Sequence, residues 1–168
     1  MAIQPKGVLT RSIWSFFPGQ IMAGWSQASD VAVAIGYVSV YNNDAYGQYL
    51  WIIDVGFATT ALGAGGTGAV VVNLETFPGG SGFSPAAFPA RPVLTGGLTQ
   101  SGLIGSFNSG ACVGTTHAFA TGNGSLGYSW PHDWPIAIVQ PGSSFGVAAE
   151  LSGTTLTASI AWWVGPPP

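Results

Sequence analysis

Apolar and polar positions alternate along this chain in short runs, each broken by glycine, proline or a cluster of small polar residues. Period-2 alternation is the mark of a strand, and no stretch holds a helical 3.6-residue period for a useful length. The clearest run is Asp30–Tyr41. Val31, Val33, Ile35, Tyr37 and Tyr41 point one way; Ala32, Ala34, Gly36, Val38 and Val40 point the other. Both faces are apolar, so this strand is expected to be central and covered on both sides. Asn42-Asn43-Asp44 reads as a turn. Gln48–Thr59 then reads as the returning strand of a hairpin, with Tyr49, Trp51, Ile53, Val55 and Phe57 on one face and Leu50, Ile52 and Asp54 on the other.

Further along, Gly63–Gly68 reads as a flexible glycine loop and Ala69–Leu74 as a short strand. The prolines and glycines of Thr76–Pro92 interrupt every period, so a long loop is expected there, anchored by Phe77, Phe83 and Phe88. Leu103–Phe107, Ala111–Ala120, Pro135–Val139, Phe145–Leu151 and Leu156–Val164 complete the set of strands, the last two paired across a Ser152-Gly153-Thr154 turn. Gly165-Pro166-Pro167-Pro168 cannot extend a sheet. Met1–Ser29 carries Trp14, Phe16, Phe17 and Trp25 and is expected to be an extended arm or first edge strand, with residues 30–168 forming one β-sandwich domain. The predicted fold is all-β: a jelly-roll-like β-sandwich of about eight strands with an N-terminal arm and long loops.

Charge changes the picture more than any motif. Of 168 residues only three are Lys or Arg and six Asp or Glu, 5% in all, with hydrophobic residues at 47%. A soluble domain averages about 25% charged residues. The surface must therefore be covered by neutral polar groups, by neighbouring subunits or by lipid. The 16 Ser, 13 Thr, 6 Gln and 5 Asn can supply neutral polar cover. Phosphate-backbone binding needs several cations, so a direct nucleic-acid partner is not expected. Cys112 is the only cysteine, which excludes an intrachain disulfide and suits a small buried hydrophobe. Lys6 and Arg11 are followed by an apolar stretch too short for a signal peptide, so the chain is expected to be made and assembled in the cytoplasm. Val55–Leu74 is charge-free and long enough to span a bilayer, but its five glycines argue against a spanning helix. A membrane partner is not expected.

Two short motifs lack the context that would make them functional. Gly63-Ala64-Gly65-Gly66-Thr67-Gly68 matches a dinucleotide fingerprint, yet Val70-Val71-Val72 after it reads as strand rather than helix. Gly142-Ser143-Ser144-Phe145-Gly146 matches a nucleophile elbow, yet it leads into a strand and no histidine follows His132. His117 and His132 recur at no ligand spacing, so no metal and no cofactor are expected. Trp130-Pro131-His132-Asp133-Trp134 could instead present Tyr128, Trp130 and Trp134 as an aromatic platform for a host glycan.

One stretch carries a resemblance. Trp134-Pro-Ile-Ala-Ile-Val-Gln-Pro-Gly-Ser-Ser-Phe-Gly-Val, followed by Leu156-Thr-Ala-Ser-Ile-Ala-Trp-Trp, resembles the ending of bacteriophage virion jelly-roll proteins of the capsid-decoration, head-fibre and fibre-knob type. It implies a non-enzymatic virion component that decorates or cements a capsid. Its partners would be itself, as a trimer or higher oligomer, and other virion proteins such as the major capsid protein. Low charge agrees, because permanent interfaces resemble a domain core cut in half. Trp14, Phe16, Phe17, Phe77, Phe83 and Phe88 are the candidate assembly contacts. The competing expectation is a carbohydrate- or receptor-binding module of a fibre or tail accessory, using Tyr128, Trp130 and Trp134.

Overall fold

The computed structural model describes residues 20–29, 35–61, 69–79, 84–86, 89–93, 96–97, 99–109, 114–123, 126–131, 135–150 and 154–168. They form twelve strands: β1 Ile21–Ser29, β2 Ile35–Tyr41, β3 Tyr49–Ala61, β4 Ala69–Pro78, β5 Ser84–Pro85, β6 Arg91–Pro92, β7 Leu103–Ser109, β8 Thr115–Asn123, β9 Leu126–Pro131, β10 Ala137–Val139, β11 Ser143–Glu150 and β12 Thr154–Gly165. All pairings are antiparallel.

Two sheets result. The first runs β10-β3-β12-β1-β6, with β9 also paired to β3; the second runs β5-β7-β2-β11-β4-β8. β9 and β10 hold successive parts of the same side of β3, so together they act as one interrupted edge strand. The sheet orders then reduce to β1-β12-β3-β9/β10 and β2-β11-β4-β8. The chain changes sheet at every connection among these strands except β4 to β8, where β5, β6 and β7 are inserted. This is the double Greek key of a jelly roll. β7 widens the second sheet by pairing with the free side of β2.

The core lies between the sheets. Val38, Val40, Leu74, Phe145 and Val147 meet Leu50, Ile52, Val55, Leu156, Ile160 and Trp162, all buried in one cluster. Trp162 is the largest fully buried side chain. Its indole N–H donates to the Ser101 carbonyl at 2.9 Å. A Cβ at Gly102 would sit 2.6 Å from that indole, and Gly102 has a φ of +115°, so only glycine fits this cover.

The structure revises the expected pairings. β2 and β3 do not form a hairpin, because β2 belongs to the second sheet and β3 to the first. Likewise β11 and β12 lie in different sheets rather than pairing with each other. Alternation in β3 breaks at an irregularity opposite Ala161/Trp162. Leu50 and Ile52 face the core, and after the extra residue so do Val55 and Phe57. One inserted residue flips which face is buried. Thr76–Pro92 is not wholly loop, since β4 runs on through Pro78 and the two-residue strands β5 and β6 follow. Of the expected N-terminal arm or edge strand, residues 21–29 form β1, paired along its length with β12. Its other side is paired with β6 at Met22 and Ala23.

Candidate functional site

The register places the ends of β2, β4, β10 and β12 and the starts of β1, β3, β7 and β11 at one end of the sandwich. A polar hub made by Asn42, Asn43 and Asp44 organises that end. The Asn42 side-chain amide donates to the carbonyls of Gln48, at 3.0 Å, and Val139, at 2.9 Å. Its backbone N–H donates to the Ser143 carbonyl, and its own carbonyl accepts from Gly142 N–H. Asn43 Oδ1 accepts from Gly102 N–H at 2.8 Å. Asp44 Oδ1 accepts from the N–H groups of Tyr46 and Gln48, and Oδ2 accepts from the Ser101 hydroxyl at 2.6 Å. Three separate connections are thus tied together by three consecutive residues.

The Asp44 carboxyl is held below its ordinary pKa. What burial it has pushes the value up, but the hydrogen bonds from Ser101 and from the backbone of Gln48, Tyr46 and Gly47 outweigh that. Both oxygens accept hydrogen bonds, so the carboxylate stays ionised while its acceptor sites are largely occupied within the subunit.

Large hydrophobics are exposed near this hub, Leu103 on the outer face of the second sheet and Ile138 on that of the first. Tyr46 is 90% exposed on the turn that Asp44 braces. Leu103 opens β7 opposite Tyr41, Ile138 lies on β10 opposite Trp51, and Val93 is tied to the start of β1 by its N–H bond to the Ile21 carbonyl. These four and Trp25 are the large hydrophobics left exposed among the described residues. Two shallow clefts flank them. One of about 320 Å³ is lined by Tyr49, Phe77, Pro78, Ile138 and Gln140, among others. The other, of about 250 Å³, is lined by Met22, Asn43, Pro85, Leu103 and Ile104, among others.

The outer faces of the two sheets differ. On the second sheet Tyr37, Phe77 and Ala148 form a second buried cluster with Ile35 and Phe107 packed against it. Tyr37 stacks on Phe107 at 4.7 Å between ring centroids, and Phe77 meets both rings edge-on. The Tyr37 hydroxyl donates to Glu75 Oε2 at 3.1 Å. On the first sheet Trp25, Gln27, Asp54, Ala58 and Ser159 are exposed.

The structure separates the expected site residues. Phe77, read as a loop anchor for assembly, is buried inside the subunit. Trp14, Phe16, Phe17, Phe83, Phe88 and Trp134 lie outside the described residues. Tyr128 and Trp130 fall on β9 at the register positions of Phe57 and Val55, two core residues. Of the rejected motifs, Ser144 is buried within β11 and donates its hydroxyl to the Gly79 carbonyl. Residues 63–68 lie outside the described residues, as do Cys112 and His132. Among the described residues no three of His, Cys, Asp and Glu come together, and no helix is long and apolar enough to cross a membrane. Sequence reasoning missed the exposed hydrophobics near the hub altogether. Tyr46 stood in a polar turn, and its neighbours at that end come from distant parts of the chain.

No protein-family model matches the chain, and no curated protein matches it. Among solved structures one similarity is to "Structure of infectious bursal disease virus Gx strain", at 15% identity over 87% of this chain and with a TM-score of 0.12. This chain spans 42% of that one. A likeness of that size carries no argument about fold or function.

Proposed function

We propose that the chain is a non-enzymatic structural subunit of a virion, one that decorates or cements a bacteriophage capsid by oligomeric packing. The observation that carries this reading is the hub end of the sandwich. It is braced by hydrogen bonds, its one hub acid is internally satisfied, and it displays Tyr46, Val93, Leu103 and Ile138 to solvent. Rigid aromatic and aliphatic groups on a nearly charge-free surface suit a permanent contact, because little ordering entropy or desolvation opposes their burial. The jelly-roll topology and the 5% charge content support the same reading. Each copy would dock end-on, against further copies and against the major capsid protein, with burial of apolar area supplying roughly 25 cal/mol per Å².

The test is the light-scattering mass of the purified chain at micromolar concentration. A trimer or larger assembly is expected, and the double variant Tyr46→Ser/Leu103→Ser should be a folded monomer. A wild-type chain that stays monomeric would overturn the reading.

A further inference from the structure

A separate feature lies on the outer face of the first sheet. Ala23 of β1 pairs with Arg91 of β6, and Trp25 lies two residues further along β1. Directly paired residues share a face, as do residues two apart on a strand, so Ala23, Trp25 and Arg91 all belong to the outer face. A diagonal neighbour of this kind is roughly 7–8 Å away, within reach of long side chains. The strand pair is drawn in tightly beneath them. A Cβ at Gly24 would lie 3.2 Å from Ala90 Cβ and 2.8 Å from Ile104 Cγ2, so glycine is what lets the 89–92 segment settle against β1. Ala23, Gly24, Trp25, Pro89 and Arg91 line a cleft of about 240 Å³. Trp25 is 49% exposed, and Arg91 is exposed and is the only Lys or Arg among the described residues.

We propose that this cleft is a binding site for an acidic saccharide. The small Ala23 side chain leaves room above the sheet. The exposed indole offers an apolar face against which a sugar ring can lie, with Pro89 beside it. The guanidinium, in a chain with almost no other positive charge, selects the carboxylate through charge-assisted, bidentate hydrogen bonds. Such a site rests on other residues than the assembly reading, because it uses Trp25 and Arg91 rather than Tyr46, Val93, Leu103 and Ile138.

The experiment is a titration of the uniformly ¹⁵N-labelled full chain, following indole N–H resonances, with Trp25→Phe used to assign the Trp25 signal. The probes are N-acetylneuraminic acid and glucuronic acid, with glucose and acetate as controls. Saturable shifts of the Trp25 signal are expected for both acidic sugars at millimolar concentration. Glucose, acetate and the Arg91→Gln variant should each bind at least about tenfold more weakly, and added salt should weaken the acidic sugars further. Absence of saturable shifts would overturn the site. Glucose binding as well as the acids, or undiminished binding by Arg91→Gln, would overturn the role of Arg91. Acetate binding as well as the sugars would show a carboxylate site with no saccharide specificity and would also overturn the proposal.

Discussion

The two outer faces of this sandwich are built from strands of the same kind, yet one is a second core and the other is open surface. On the second sheet, Gly105, Ser39, Gly146 and Glu75 form one row across four strands. The two glycines leave a trough, and aromatic rings lie over it: a Cβ at Gly146 would come 2.9 Å from the Phe77 ring and 3.3 Å from Tyr37. Ser39 and Glu75 are fully buried in consequence. On the first sheet the row through Trp25, Ser159, Gly56 and Ser129 holds only one large side chain, and Trp25 stays half exposed. Both rows are rich in small residues. The difference is whether neighbouring rows supply rings that reach across. Tyr37, Phe77 and Phe107 do so on the second sheet. A sheet face thus becomes core or surface according to what its cross-strand neighbours lay over it, not according to how apolar its own row is.

The sharpest way to break the contrast is Phe77→Ala. It should cost about 3–5 kcal/mol in denaturant unfolding, whereas Ala58→Ser on the open face should stay within about 0.5 kcal/mol. Equal effects would mean that the second face is not a core. Gly146→Val should destabilise by about 1–3 kcal/mol, since the added methyls enter space already held by two rings. Tyr37→Phe keeps the ring stack but removes the donor to buried Glu75, and should cost about 1–2 kcal/mol. The smallest effect concerns pH. Because the folded Asp44 carboxyl titrates below its ordinary value, its contribution is fully present above the unfolded pKa and is lost as pH falls through the lower folded one. Melting curves of Asp44→Asn against pH should therefore show a shallower acid decline than wild type. An unchanged acid limb would remove the hub carboxylate from the account.

The sequence made strands, turns and the all-β class legible, because period-2 runs and glycine–proline punctuation are local signals. Strand partners were another matter. Asn42-Asn43-Asp44 has the composition of a hairpin turn, but its side chains bond to Ser101, Gly102, Gln48 and Val139 instead, and the chain crosses to the other sheet. Nothing local distinguishes these outcomes. The face assignment of β3 failed for a similar reason, since one extra residue near Asp54 reverses the alternation. Phe77 looked like a loop aromatic because prolines and glycines crowd after it, yet β4 continues through it and its ring completes a trio with Tyr37 and Phe107. The aromatic trio and the polar hub both depend on residues dozens of positions apart, which period and composition do not join.

In the proposed assembly the hub end is buried and the open sheet face is not. Hydroxyl-radical labelling, read by mass spectrometry at dilute and at assembly-promoting concentrations, tests it directly. Labelling of Tyr46 should fall severalfold on assembly while that of Trp25 stays constant. Equal labelling of Tyr46 in both states, or protection of Trp25 in its place, would contradict the account.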